Sequence, residues 1–310
     1  MIVNKIAIIM IYFGKVPDYF QLYLNSCKKN SEIDWIFFTD DKREFDYPRN
    51  VKTYYMSKNE MQSFIESRLK IKIDIEYSYK FCDFRPAYGE IFEAYLKEYN
   101  YWGFCDIDMI FGDLSLIINN LDIMDNDKIL QNGHLTIFKN TKEINSRYKL
   151  DYDGPSYREV FSNRNHFGFD ETNGITKIYN EYNFKKFVYK EQDRKYADIN
   201  YKKYKLNLNG PRNYKHQYFI WDDGKIFRYY KKDNKEFKEE YIYIHFQKRN
   251  MFINQDINLS KFLIYPNGFG NIIENSDLYL SNKNNHLKNL KVKIKLLTKK
   301  VNQKIKINRG

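Results

Sequence analysis

After its first few residues the chain enters an unbroken apolar run, "KIAIIMIYF" at residues 5 to 13, which stops at Gly14 and Pro17. A continuous run of this length, bounded by turn residues, predicts a buried first strand. Phe20, Leu22, Tyr23, Leu24 and Cys27 then recur in a helical pattern, and "DWIFFTDD" at 34 to 41 is again an apolar strand running into acids. Strand, helix, strand at this spacing predicts a βαβ unit and a parallel sheet, with the loops at the strand ends available to a ligand. Met61, Phe64, Ile65, Leu69 and Ile71 predict a helix within 56–72. "PAYGEIFEAYLKEYN" predicts a second one, starting at Pro86, a residue suited to a first helical turn. That helix leads directly into "YWGFCDIDMIFGDL" at 101 to 114, where an apolar strand meets Asp106 and Asp108.

Beyond residue 120 the pattern thins. "HLTIFKN" at 134 to 140 and "YIYIHF" at 241 to 246 alternate as strands do, and the stretch between them is polar, aromatic and rich in loop residues. From Asn282 onward Asn and Lys dominate. Leu287, Leu290, Ile294, Leu297 and Val301 recur three and four apart, which fits a basic amphipathic helix, while "KVKIK" alternates as a strand. Both readings of this tail stand.

Composition narrows the class. With 310 residues, 43% of them hydrophobic, the chain can bury a large α/β core. Cys27, Cys82 and Cys105 are too few and too far apart for a disulfide framework or a zinc knuckle, so a reducing cytosol is expected. The first apolar run falls well short of the roughly 20 residues that span a bilayer, and no small-residue cleavage site follows it. Net charge is +12, but residues 286–310 hold nine cations and no acid, leaving +3 for the other 285 residues. A body so weakly charged, with no binding-module signature, argues against a nucleic-acid-binding protein.

The candidate chemistry is carried by charge at strand ends. Carboxylates at i and i+2 on a strand point the same way, so Asp106 and Asp108 could share one hard cation, Mg²⁺ or Mn²⁺, and through it a diphosphate. The bland alternative is a solvated turn; the apolar flanks favour the cation, because carboxylates beside a core need compensation. Lys80, Asp83 and Arg85 could hold phosphate oxygens or form an ordinary ion-pair cluster. Thr39 and Asp40 could bind a base or ribose, or start a turn. His245, followed by Lys248 and Arg249, could complete a metal–diphosphate site, or be a structural histidine. Asp170 and Glu171 could offer a base or a hydroxyl acceptor, or cap a turn.

Taken together and in order, the first strand, "FTDD", "KFCDFRPAYGEIF", "WGFCDIDMIFGDL", "NGHLTIFKN", "FDETNG" and "HFQKR" resemble a bacterial group of GT-A-fold glycosyltransferase-like proteins of capsule and surface-polysaccharide clusters, from about residue 5 to 250. The resemblance implies a mixed, mostly parallel Rossmann-like sheet flanked by helices over 1–281, with a nucleotide-binding half (1–120), an acceptor-side half (121–281) and a basic extension (282–310). It implies a nucleotide-sugar donor, a UDP-sugar first of all, and Mn²⁺ or Mg²⁺ on Asp106, Asp108 and His245. Tyr12, Thr39 and Asp40 are then expected near the nucleoside, and Lys80, Asp83 and Arg85 near the ribose or diphosphate. Asp106, Gly133 and His134 are expected along the donor, and Lys248 and Arg249 opposite the leaving diphosphate. Asp170 or Glu171 becomes the base if transfer inverts the anomeric centre.

The acceptor expected from the resemblance is a glycan or lipid-linked glycan, the location cytoplasmic and peripheral, with 286–310 on an anionic membrane surface. A disordered solubilising tail is the alternative. Rival activities are a metal-dependent nucleotidyl or phosphoryl transferase, which also needs paired carboxylates and cations, and a non-catalytic sugar-nucleotide-binding relative.

Overall fold

The structure, a computed structural model, describes residues 5–200, 205–214, 216–247, 249–254 and 256–272. Lys248 and the tail from 282 to 310 therefore lie outside the described residues. The strands in chain order are β1 (Ile6–Tyr12), β2 (Ile33–Thr39), β3 (Val51–Tyr55), β4 (Tyr101–Cys105), β5 (Met109–Phe111), β6 (Lys128–Asn132), β7 (Leu135–Lys139) and β8 (Lys186–Phe187). They continue with β9 (Tyr196–Asp198), β10 (Gln217–Asp222), β11 (Lys225–Lys232), β12 (Lys235–Tyr241), β13 (Tyr243–His245), β14 (Phe252–Ile253), β15 (Lys261–Tyr265) and β16 (Gly268–Gly270). The chain packs as two units: one formed by residues up to 107 with 114–189, the other by 108–113 with the described residues from 190 onward. This division concerns packing, whereas the split at residue 120 drawn from the motifs concerns roles.

The first unit is a mixed α/β layer around a seven-stranded sheet of order β3-β2-β1-β4-β7-β6-β8. Strands β3, β2, β1 and β4 run parallel, β7 runs antiparallel to both β4 and β6, and β8 is parallel to β6. β1 sits in the interior of this sheet, and Ile6 to Met10 are buried without a polar residue among them, as a strand covered on both faces requires. Helix α1 (Phe20–Lys28) buries Phe20, Leu22, Tyr23, Leu24 and Cys27. Helix α2 (Lys58–Leu69) starts at a capping box in which Ser57 and Glu60 exchange hydrogen bonds. Trp102, Phe104, Phe38, Phe92 and Phe138 are among the buried residues of one apolar core that also takes in Ile9 and Ile65.

One helix differs from its expected form. Pro86 does not open a helix; it lies inside a 3₁₀ segment, Ser78–Ala87, followed by the short helical turns Tyr88–Ile91 and Glu93–Leu96 with Phe92 between them. The 3₁₀ segment buries every residue from Lys80 to Ala87, so burial of these side chains fixes its course. Between β6 and β7 the register shifts between Ile129 and Asn132, and Leu130 takes a positive φ of 66°. Such a bulge re-aims the backbone that follows it, here Gly133 and His134.

The second unit is built mainly from antiparallel pairs, with β9 parallel to β13 and β14 parallel to β16. Its six-stranded sheet has the order β12-β11-β10-β15-β16-β14, and a three-stranded sheet has the order β5-β13-β9. The hairpins turn at Asp223–Gly224 and at Asp233–Asn234, all four residues at positive φ, as tight hairpin turns demand. Among the described residues no helix is long and apolar enough to cross a membrane.

Candidate functional site

In the first unit, the parallel strands end on one edge of the sheet: Tyr12 of β1 pairs in register with Thr39 of β2, and β4 ends one residue before Asp106. Ligands of open parallel sheets collect at such carboxyl ends. Tyr12 is half-buried and Thr39 fully buried, its Oγ1 accepting the Asp41 amide at 3.1 Å. Asp40 is exposed and accepts the Gly14 amide at 2.7 Å. Asp41 is gripped by Arg43, and hydrogen bonds from that guanidinium hold its carboxyl well below the usual range.

The centre of this edge is Arg85. Its Nη2 donates to Asp106 Oδ1, and its Nη1 donates both to Asp170 Oδ2 and to the Gly133 carbonyl, each at 2.9 Å. The guanidinium carbon lies 5.3 Å from the Phe104 ring centroid. Gly133 is held from its other side as well, its amide donating to Glu171 Oε1 at 2.9 Å. A Cβ on Gly133 would meet Glu171 Oε1 at 2.7 Å and Asp170 Oδ2 at 2.8 Å, so any larger residue would have to displace these carboxylates. Asp170 and Glu171 lie in a turn rather than a strand, and they engage Gly133 by different routes, Glu171 directly at its amide and Asp170 through Arg85. Burial pushes the Asp170 carboxyl up to about 7, with Arg85 opposing the rise and Glu171 and Asp106 adding to it. His134 is buried, and its carbonyl accepts the Asp106 amide at 3.3 Å.

Lys80 and Asp83, expected near a phosphate, are both fully buried and 2.9 Å apart. Lys80 also donates to the carbonyls of Val160 and Asn165, and Asp83 accepts the amides of Phe167 and Phe169. Their polar atoms tie the 3₁₀ segment to residues 160–169. Asp83, His166 and Asp170 bring ligand atoms within 4.8 Å of one another. That trio suits a metal poorly, because Lys80 and Arg85 already occupy its carboxylates.

In the second unit, Asp108 faces His245. Strand β5 pairs with β13, setting Met109 opposite His245, and the Phe246 amide donates to the Asp108 carbonyl at 2.9 Å. His245 Nε2 lies 3.3 Å from Asp108 Oδ1, while its Nδ1 lies 2.9 Å from Asp198 Oδ1. Asp198 is fixed in turn by Gln247 Nε2 at 2.8 Å and Asn209 Nδ2 at 2.8 Å. A carboxylate on Nδ1 sets the tautomer and leaves the Nε2 lone pair for a metal, the usual outer support of a histidine ligand. The donors Asp108 oxygen and His245 nitrogen thus fit a divalent ion such as Mn²⁺. Arg249 is not arranged as expected for the leaving diphosphate: its guanidinium donates to the carbonyls of Pro266, Asn200 and Lys205.

Asp198 and Gln247 escaped the sequence reading. Their signal is register alone, since β9 lies parallel to β13 with Asp198 opposite His245, and nothing in "YADIN" announces it.

The sheet order and the charged edge define a mixed α/β protein with a mostly parallel central sheet. Over residues 8–273 the chain matches a family model, and it belongs to that family, DUF6625, a family of unknown function. No curated protein matches it significantly. Solved structures similar to it include the galactosyltransferase LgtC in complex with donor and acceptor sugar analogues, at 11% identity and a TM-score of 0.36, covering 62% of this chain and 75% of that one. The glycosyltransferase GlyE of Streptococcus pneumoniae TIGR4 is similar at 13% identity and a TM-score of 0.29, covering 61% of this chain. Its apo form is similar at 14% identity and a TM-score of 0.30, covering 62%. The match spans 46% of the GlyE chain in each case.

Proposed function

We propose that the protein is a metal-dependent glycosyltransferase that moves a sugar from a nucleotide sugar, a UDP-sugar first of all, to a glycan or lipid-linked glycan acceptor. One observation carries this reading. Asp106 and Asp108, a single residue apart after β4, are both drawn into charged networks, and the second faces a histidine whose other nitrogen is fixed by a carboxylate. A strand end so equipped supports a cation-and-diphosphate site over a plain turn, where neither the buried arginine nor the oriented imidazole would be needed.

In this reading Asp106, Asp108 and His245 hold Mn²⁺ or Mg²⁺, which supplies charge for the departing diphosphate. Tyr12, Thr39 and Asp40, at the ends of β1 and β2, receive the nucleoside. Gly133 and His134 lie beside the sugar. If transfer inverts the anomeric centre, Asp170, with its carboxyl raised to about 7, or its exposed neighbour Glu171 accepts the acceptor's hydroxyl proton. Lys80 and Asp83 act as supports for Arg85 rather than as contacts to the donor.

The test is thermal stabilisation across UDP-, GDP-, CMP- and dTDP-sugars, with and without Mn²⁺, in wild type and Asp108→Asn. A shift selective for one nucleotide sugar, dependent on metal and lost in the variant, is expected. Metal-independent shifts, or an unchanged Asp108→Asn, would remove the proposal. Product analysis then separates glycosyl transfer, which releases the nucleoside diphosphate, from nucleotidyl transfer, which releases pyrophosphate.

A further inference from the structure

Arg85 brings one positive charge to two carboxylates. Its planar fork reaches Asp106 with one terminal nitrogen and Asp170 with the other, and the Gly133 carbonyl fixes its plane. The two carboxylates differ in what surrounds them. The Asp106 side chain keeps 29% of its surface exposed and lies beside the position assigned to the cation. That of Asp170 keeps 3%, and among the described residues Arg85 is the group that hydrogen-bonds it. A divalent cation at Asp106 would sit next to a buried guanidinium sharing the same carboxylate, an arrangement of like charges that burial makes costly. Of the acceptors the guanidinium holds besides Asp106, the Gly133 carbonyl and Asp170, only Asp170 is a carboxylate able to take over its charge.

We propose that Arg85 exchanges partners: it neutralises Asp106 when no cation is bound, and Asp170 takes over the guanidinium when a divalent cation occupies Asp106. The proposal rests on the metal reading given above and adds to it a built-in competitor and a receiving carboxylate, neither of which is a ligand. Gly133 is part of the device, since a Cβ there would crowd the side chains of Glu171, Asp170 and Arg85, all within 3.2 Å of its place. Cation affinity then depends on two positioning residues with opposite signs. Removing the competitor favours the cation, and removing the receiver penalises it.

The experiment titrates Mn²⁺ into the full chain without donor or acceptor and follows free Mn²⁺ by electron paramagnetic resonance. Arg85→Gln is expected to tighten binding about tenfold and Asp170→Asn to weaken it by a similar factor, within the usual range for coupled sites. The double variant is expected to bind as Arg85→Gln does, because a receiver has no effect once the guanidinium is gone. A purely structural role for Arg85 predicts neither the opposite signs nor this lack of additivity. Asp170→Asn keeps the side-chain shape and must weaken binding by itself, even if Arg85→Gln fails to fold. If Asp106→Asn and Asp108→Asn abolish Mn²⁺ binding while Asp170→Asn stays within twofold of wild type, the exchange is wrong and the metal site stands. If Asp106→Asn and Asp108→Asn leave binding intact, the metal reading falls and the exchange with it.

Discussion

Lys80 and Asp83 are shielded from solvent on every side, which determines what replacing either does. Asp83→Asn would leave an ammonium in the interior without its counter-charge, and it would replace one acceptor oxygen facing the amides of Phe167 and Phe169. Breaking such a pair costs about 3–5 kcal/mol, and urea denaturation should show a loss of that order. A loss below about 1 kcal/mol would mean that the pair is solvated and available to a ligand after all. Lys128 poses the reverse case. It is fully buried, donates at 3.2 Å to the Thr176 hydroxyl, lies 5.6 Å from the Tyr179 ring centroid, and pairs across the sheet with Lys186. Burial, and secondarily Lys186, lowers its amine to about 7. The unfolded chain therefore holds more protons than the folded one between about 7 and the ordinary 10.5, so stability from this group rises with pH across that window. The expected slope approaches about 1.4 kcal/mol per pH unit, and Lys128→Met should flatten it and raise the melting temperature at pH 7. An identical pH profile in that variant would show that the amine stays charged. The pairing of Lys80 with Asp83 was one of two readings open in the sequence, but its depth was not legible there, and nothing in the sequence singled out Lys128. What sets both lysines apart is depth, and depth follows from the 3₁₀ segment and from the bulge after Ile129, which no local pattern announces.

Strands were legible chiefly in the first unit and obscure in the six-stranded sheet, where even β10, buried from Gln217 to Trp221, went unread. β1, β2 and β4 appear directly as apolar runs, and β7 and β13 as alternations. The six-stranded sheet was missed because Tyr, Phe and Lys alternate in β11 and β12 without a clean apolar face. The turn residues Asp223–Gly224 and Asp233–Asn234 were the overlooked clue, since such pairs mark hairpins even between polar strands. Within β4, Gly103 shows how closely the strand that delivers Asp106 is packed. A Cβ there would run into the Thr136 carbonyl of β7 and the Ile8 side chain of β1 at 2.8 Å. Gly103→Ala must therefore push β7 or β1 away, and a destabilisation of about 1–3 kcal/mol is expected, as for other overpacked interiors. Equilibrium unfolding checks this. A neutral result would mean that β4 and β7 can part without cost.

At the scale of the whole molecule, charge separates from chemistry. The candidate residues lie in a body of net charge +3, while nine cations crowd residues 286–310. A basic segment of this kind suits the peripheral position on an anionic leaflet expected from the sequence, each cation near the surface contributing about 1 kcal/mol. Removing 286–310 should abolish salt-sensitive binding to vesicles containing phosphatidylserine and leave the Mn²⁺-linked thermal shift in place. Equal vesicle binding by the shortened chain would discard the membrane role.

The path of the backbone has a consequence for inheritance. Residues 108–113 leave the first unit, add β5 beside β13, and return at Leu114, so the chain passes between the units three times rather than once. A recombination that cut at residue 189 would give one product an orphan β5 and the other a β13 with a bare edge. A single exchange at that point therefore cannot trade either unit as a whole cassette, because the hexapeptide after Ile107 stitches the second unit into the chain of the first.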